Sequence, residues 1–296
     1  MAVNATARNS HMANKICVVT GGNRGIGYEI VKALALQGAE VVMVSRDAEQ
    51  GRTALRQIQA EAPEVKVTVL VGDLGTISGT QQLANDLLDK PTGIDALINN
   101  AGVWPTKKMV NADGLEIGFM VNFLAPFMLS HLLRKKLAAS APARIVHVNA
   151  GLYVKGAVDL SRTPYGRDFS RIRTYANTKL CGVLTLAQEA ALLANDGITV
   201  NMVHPGVVNT NLGQMDGPMG WLMKQIKRSW MTPAQGAVAP VWLATSADTA
   251  DKTGLYFNEK EEMPLDMVAK DEKLAHDLWR FAEETAGLNR NPAQQD

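Results

Sequence analysis

Cysteine is scarce in this sequence. Its 296 residues hold two, Cys17 and Cys181, and two thiols make no disulfide framework of the kind that staples small secreted domains. Cys17 falls in an apolar, strand-like run and Cys181 in a helical stretch, so both read as structural thiols of a reducing compartment. A cytoplasmic location is the expectation. Net charge is also lacking, since 30 Lys and Arg face 29 Asp and Glu. That balance removes the electrostatic case for a nucleic-acid or anionic-membrane partner. No apolar run reaches the roughly 18 residues of a membrane span. The opening MAVNATARNSHMANK has no apolar core of a signal peptide. Residues 1–13 read as a disordered leader or tag remnant, with Ser10-His11-Met12 resembling a cloning scar. His131, His147 and His204 lack metal-like spacing, so no metal is expected. There is no internal repeat and no linker, which leaves one domain over residues 14–296. Apolar residues make up 46% of the chain, ample for its core.

What is present is organised around Thr20 to Gly27, TGGNRGIG. An apolar run, Lys15 to Val19, precedes it and a helical run, Tyr28 to Gln37, follows. Strand, glycine turn and helix are the context of a dinucleotide-binding loop. Glycines let the backbone turn tightly beside a pyrophosphate, and the helix N-terminus offers it free N–H groups and a positive dipole end. The spacing of Gly21, Gly25 and Gly27 is G-x-x-x-G-x-G, not the commoner G-x-G-x-x-G, and a glycine turn alone is weak evidence.

Strand-like and helix-like runs then alternate. Val41–Val44 is followed by a helix from Asp47 to about Ala60, with Asp47 and Gln50 spaced as a capping box. Val65–Val71 precedes a helix from about Ser78 to Leu88, and Ala96–Ile98 precedes one continuous helix from about Leu115 to Leu137. Arg144–Val148, a loop over 151–170, a helix over about Thr174–Leu193 and Thr199–Val203 come next. Pro233 opens a helix, Gly254–Phe257 is the last strand expected, and Lys273–Thr285 the last helix. This order predicts an α/β, doubly wound, mostly parallel sheet of the Rossmann type. Ligands of such sheets sit at the carboxyl ends of the strands. Asp73, Asn99, Asn149 and His204 fall there. Tyr175 and Lys179 lie four apart, on one helix face. A lysine beside a tyrosine lowers the phenol's pKa toward neutrality, and such a phenol can protonate a carbonyl oxygen as hydride arrives.

Together these stretches resemble the short-chain dehydrogenase/reductase family. TGGNRGIG is similar to its cofactor loop, which implies cofactor contacts at Gly21, Asn23, Arg24, Gly25, Ile26 and Gly27. Asp73-Leu74 resembles the adenine-site turn, and Asn99-Asn100-Ala101-Gly102 the NNAG motif. Asn122 matches the active-site asparagine, which implies that it holds a water in a proton relay to Lys179. Tyr175-Ala-Asn-Thr-Lys179 matches Y-x-x-x-K, which implies Tyr175 as general acid or base and Lys179 on the nicotinamide ribose. His204-Pro205-Gly206, with Val208 and Thr210, resembles the segment that holds the nicotinamide carboxamide. Residues 114–133 and 232–245, the insertion before Tyr175 and the Leu278-Trp279 helix are similar to a retinol-dehydrogenase-like branch, whose vertebrate members carry a membrane anchor not seen here.

One position departs from the family. Its catalytic serine belongs at the end of the fifth strand, where Ile145-Val-His-Val-Asn-Ala150 places Ala150. A methyl group cannot donate to a substrate carbonyl, and loss of one such donor costs ~100- to 1000-fold in rate. Three explanations stay open: a deliberate serine-to-alanine replacement, a donor supplied by Asn149 or Tyr153, or a lost reaction.

Cofactor choice follows from charge. NAD-type sites put a carboxylate after the second strand; here Ser45 and Arg46 stand there, and Arg24 lies in the glycine loop. Two guanidinium groups suit a 2′-phosphate, so NADP(H) is expected, with Asp47 read as a helix cap. Met215 and Trp221, within a lid over about 211–231, and Trp104 after the NNAG motif supply apolar walls. The expected partner is a small hydrophobic ketone, aldehyde or alcohol, and the chain a monomer or homodimer. The rival function is a cofactor-binding scaffold or sensor without turnover.

Overall fold

Strands buried on both faces are written as unbroken apolar runs. β1 (Ile16–Thr20) and β2 (Glu40–Ser45) are of this kind. They pair in parallel, Cys17 opposite Val41 and Val19 opposite Met43. Residues alternate between the two faces. Val18, Val42 and Val44 enter one core, while Cys17, Val19, Val41 and Met43 enter the other. The computed structural model describes residues 12–209 and 230–289.

Between these strands runs α1 (Gly25–Leu36), and after β2 comes α2 (Ala48–Glu61). β3 (Lys66–Val71), α3 (Ile77–Leu88) and β4 (Ala96–Asn99) follow. Next is a helical stretch in pieces: α4 (Ile117–Phe119), a π-helical turn (Met120–Leu124), α5 (Ala125–Leu132) and α6 (Arg134–Ala138). β5 (Ala143–Val148) leads through two 3₁₀ turns to α7 (Arg171–Ala194) and β6 (Ile198–His204). α8 (Pro233–Thr245), β7 (Tyr256–Asn258), β8 (Glu261–Met263) and α9 (Glu272–Ala286) complete the described chain. The sheet order is β3-β2-β1-β4-β5-β6-β7-β8. Every neighbouring pair is parallel except β7 with β8. The α/β, doubly wound architecture expected from the sequence is thus observed. Strand order reverses between β1 and β4, which opens a crevice at their carboxyl ends.

Four details differ from the sequence reading. The helix expected over Leu115–Leu137 carries the π turn, and Asn122 lies inside it. Asp47 does cap α2, accepting from Gln50 N. The Gln50 side chain does not complete a capping box; its Oε1 accepts from Asn23 Nδ2 at 3.1 Å, which ties α2 to the glycine loop. β8 lies beyond the last strand expected, and its three residues are exposed and two of them charged. Met12, assigned to the leader, is buried against the core beside β1.

Candidate active site

The glycine loop is shaped by what surrounds it. Gly21 adopts φ +64°, in the left-handed region that favours glycine. At Gly27 a Cβ would collide with Gly21 O and Asn100 Nδ2. The loop after β4 is pinned to it. Thr20 Oγ1 accepts from Asn100 N and Ala101 N, each at 3.0 Å, and Asn100 Nδ2 donates to Thr20 O (2.9 Å) and Gly21 O (3.2 Å). α1 then begins without a capping side chain and without an acidic residue in its first turn. Its leading N–H groups and dipole are therefore left for an anion. Arg24 and Arg46 are both exposed. Ser45 is buried and donates to Asp47 O at 2.7 Å. Asp73 Oδ1 accepts from Gly75 N at 2.9 Å, and Leu74 is buried beside it.

Across the crevice, α7 presents Tyr175 and Lys179. The Lys179 Nζ lies 5.7 Å from the centre of the Tyr175 ring and donates to Val148 O at 3.1 Å. Burial pushes the Tyr175 phenol up and holds the Lys179 amine down at about 8. This corrects the expectation of a phenol lowered toward neutrality. The ammonium is spent on a carbonyl, and desolvation outweighs its attraction for phenolate. A phenol held protonated carries the proton an acid donates, though the raised pKa weakens its drive to give it up.

Asn122 is nearby, in the π turn, a distortion that often marks functional sites. Its Nδ2 donates to Val103 O (2.9 Å) and Thr178 Oγ1 (3.0 Å), and its Oδ1 accepts from Val103 N (2.8 Å). The side chain thus joins the backbone after Gly102 to α7. Thr178 and Val103 were missed in the sequence because nothing local marks them.

Ala150 follows β5 in extended backbone, φ −146°. Of the two neighbours considered as a substitute donor, Asn149 is engaged within the protein. Asn149 Nδ2 donates to Lys179 O (3.1 Å) and Met202 Sδ (2.6 Å), and Asn149 Oδ1 accepts from Ala150 N (2.6 Å). Strand alternation turns that amide into the core, the same way as His147. Tyr153 is buried, and its Oη accepts from Asp266 N at 3.1 Å, which leaves its hydroxyl proton to donate. Its ring meets Tyr256 edge-on at 5.0 Å. The Tyr256 hydroxyl, not singled out in the sequence, finds no partner among the described residues.

At the end of β6, Pro205 is buried and Gly206 has φ +83°. His204 sits close enough to Lys179 that burial, and then that charge, hold its imidazole down. Met231 N donates to Val207 O (3.0 Å) and Asn209 N to Met231 O (2.8 Å), with Val208 bridging to Met231. Thr210, Met215 and Trp221 lie outside the described residues. Trp104 stacks flat on Tyr175, centroids 4.3 Å apart and planes 10° apart. Below, a buried polar line runs between sheet and helices. Asn99 Nδ2 lies 3.3 Å from His147 Nδ1, and His147 Nε2 donates to Glu189 (3.1 Å).

A glycine loop on β1, a YxxxK pair on α7 and a doubly wound sheet are one recurring arrangement. Residues 15–219 match the short chain dehydrogenase family. The chain belongs to that family. It is 34% identical over 296 residues to retinol dehydrogenase 14 of Homo sapiens, covering 94% of this chain and 88% of that one. Among solved structures it is similar to an uncharacterized protein from Mycobacterium Paratuberculosis, with TM-score 0.75, 26% identity and 93% and 94% of the two chains covered. It shares its fold with a short chain dehydrogenase from Burkholderia cenocepacia in complex with NADP, with TM-score 0.67, 24% identity and 84% and 97% covered. No helix among the described residues of this family member is long and apolar enough to cross a membrane.

Proposed function

We propose that this short-chain dehydrogenase is an NADP(H)-dependent carbonyl reductase or alcohol dehydrogenase of the retinol-dehydrogenase-like branch. It acts on a small hydrophobic ketone, aldehyde or alcohol and is slowed by Ala150. The observation that carries this reading is the Tyr175–Lys179 pair on α7, facing the Asn122-held loop. The uncapped start of α1 and the close-fitting glycine at 27 fit a pyrophosphate. Gly21, Asn23, Gly25 and Ile26 would line it, Arg24 and Arg46 would hold a 2′-phosphate, and Asp73 and Leu74 would flank the adenine. Asn100, Ala101, Gly102, Pro205, Gly206 and Val208 would border the nicotinamide half. The retinol dehydrogenase and NADP-bound relatives support both assignments.

When bound, the dinucleotide supplies hydride. Tyr175, which burial keeps protonated, gives its phenolic proton to the substrate oxygen. Lys179, its amine bonded to Val148 O and its carbonyl to Asn149 Nδ2, ties α7 to the end of β5 and adds positive charge. Asn122 holds the Val103 backbone in place. Trp104 walls the substrate side.

A scaffold or sensor without turnover is the second reading. It is favoured by Ala150 together with Asn149, whose amide is used inside the protein. Fluorescence titration with NADPH and NADH, followed by assay of this chain and its Ala150→Ser variant on a panel of aromatic ketones, separates the two. Tighter NADPH binding and a gain of ~100-fold or more with serine support the reductase. NADPH binding with no turnover by either protein supports the scaffold.

A further inference from the structure

Trp104 is held by more than its contact with Tyr175. The backbone just before it is fixed, because Asn122 bonds both N and O of Val103. Its indole N–H donates to Arg171 O at 2.8 Å. That carbonyl belongs to the same helix as Tyr175, one turn earlier. The Arg171 guanidinium lies 5.9 Å from the centre of the Trp104 ring. The indole is therefore anchored to the scaffold on which the phenol is mounted, and it lies parallel to the phenol ring at 4.3 Å.

An apolar wall needs none of this. A wall would be served by any large side chain, without a bond to a backbone carbonyl and without parallel alignment to one ring. Parallel stacking at this distance covers one face of the phenol and resists a swing of the whole ring about its Cα–Cβ bond, the motion that displaces the hydroxyl. The hydroxyl is then kept on one line, and a carbonyl can approach it only from the uncovered side. Proton transfer depends steeply on such alignment, and a displacement of about 1 Å can cost ~100-fold in rate.

We propose that Trp104 is a positioning residue for Tyr175: it clamps the phenol ring and screens one face, so that it sets both the rate of proton delivery and the face of the carbonyl that is presented. The proposal rests on the reductase reading for its kinetic consequence, but its geometric part does not.

The test uses Trp104→Phe and Trp104→Leu in the full chain carrying Ala150→Ser, with tyrosines fluorine-labelled and the Tyr175 resonance assigned by its loss in Tyr175→Phe. In the parent, that resonance is displaced by the indole ring current. We expect Trp104→Leu to remove the displacement. We also expect kcat to fall ~10- to 100-fold with KM changed less than about threefold, and the handedness of the alcohol product to erode. Trp104→Phe, which keeps a ring but loses the N–H bond, should fall between the parent and Trp104→Leu. A Tyr175 resonance unchanged in Trp104→Leu overturns the clamp. A rise in KM with kcat and product handedness intact reduces Trp104 to a wall and overturns the proposal. If the parent turns over no carbonyl, the reductase reading fails while the resonance still decides whether the indole holds the phenol.

Discussion

Lys179 Nζ donates to Val148 O across 3.1 Å, so the ammonium nearest the Tyr175 ring is bound to the last residue of β5. This amine is buried at a cost. Its pKa is held at about 8 against an ordinary 10.5. The folded protein therefore binds this proton less tightly than the unfolded chain does. Below pH 8 the charge opposes folding fully, and between about 8 and 10.5 the penalty is relieved as pH rises.

Lys179→Met should thus leave the protein at least as stable as the parent at pH 7. The burial penalty removed is at most about 3 kcal/mol, less the lost bond to Val148. The advantage should shrink toward pH 10, and reductase activity should be lost. Urea unfolding at the two pH values, with the assay alongside, checks this. A variant that is less stable at pH 7 would sink the argument.

Gly27→Ala should be incompatible with the cofactor loop. The added methyl would meet Gly21 O and Asn100 Nδ2, both backbone-anchored. Overpacking of this kind costs ~1–3 kcal/mol. Dinucleotide affinity should fall more than tenfold while the circular dichroism spectrum stays α/β. Unchanged NADPH binding would show that the loop has slack.

Glu189 is buried with His147. Although burial alone would raise its carboxyl, the His147 charge and hydrogen bond, with Ser130, hold it below 4.5. Its contribution is therefore complete above pH 4.5 and is lost as pH falls through the folded value. Glu189→Gln should destabilise by ~1–3 kcal/mol at pH 7. The difference from the parent should narrow in acid, which thermal melts at pH 7 and pH 4 would show. A constant difference would mean that the loss is one of packing.

Arg46→Asp should exchange cofactor preference. The position follows β2, beside the candidate ribose, and Arg46 is exposed. A carboxylate there repels a 2′-phosphate and can accept from a 2′-hydroxyl. The NADPH-to-NADH affinity ratio should drop by ~10-fold or more, read by the same fluorescence titration. If it does not change, the phosphate is held elsewhere.

Much of this fold could be read in the sequence because its determinants are local. β2 shows as an apolar run because cores on the two sides of the sheet bury both its faces, and Asp47 shows as a cap because N-caps favour short acceptors. The YxxxK spacing is likewise local to α7. What was hidden depends on partners far along the chain. Trp104 and Arg171 are 67 residues apart, and Asn122 and Thr178 are 56 apart. The π turn around Asn122 has no composition of its own, since Met120–Leu124 are all buried as in an ordinary core helix. β8 could not show as a strand because exposed Glu261 and Glu262 lack alternation. Gln50 satisfied the spacing of a capping box, yet Asn23 offered its side chain a better-placed donor.

α7 is the common datum of the site. Arg171 O holds Trp104, Thr178 holds Asn122, Lys179 holds Val148 and Asn149, and Glu189 holds His147. These attachments span about five turns of one rod. A slip of that rod along its axis would misalign all of them together, whereas a lesion in any one leaves four to hold the register. Single truncations should therefore be forgiven more than their contacts suggest. Pairs along the helix should cost more than the sum of their parts, which is how redundancy appears when a machine is referenced to a single edge.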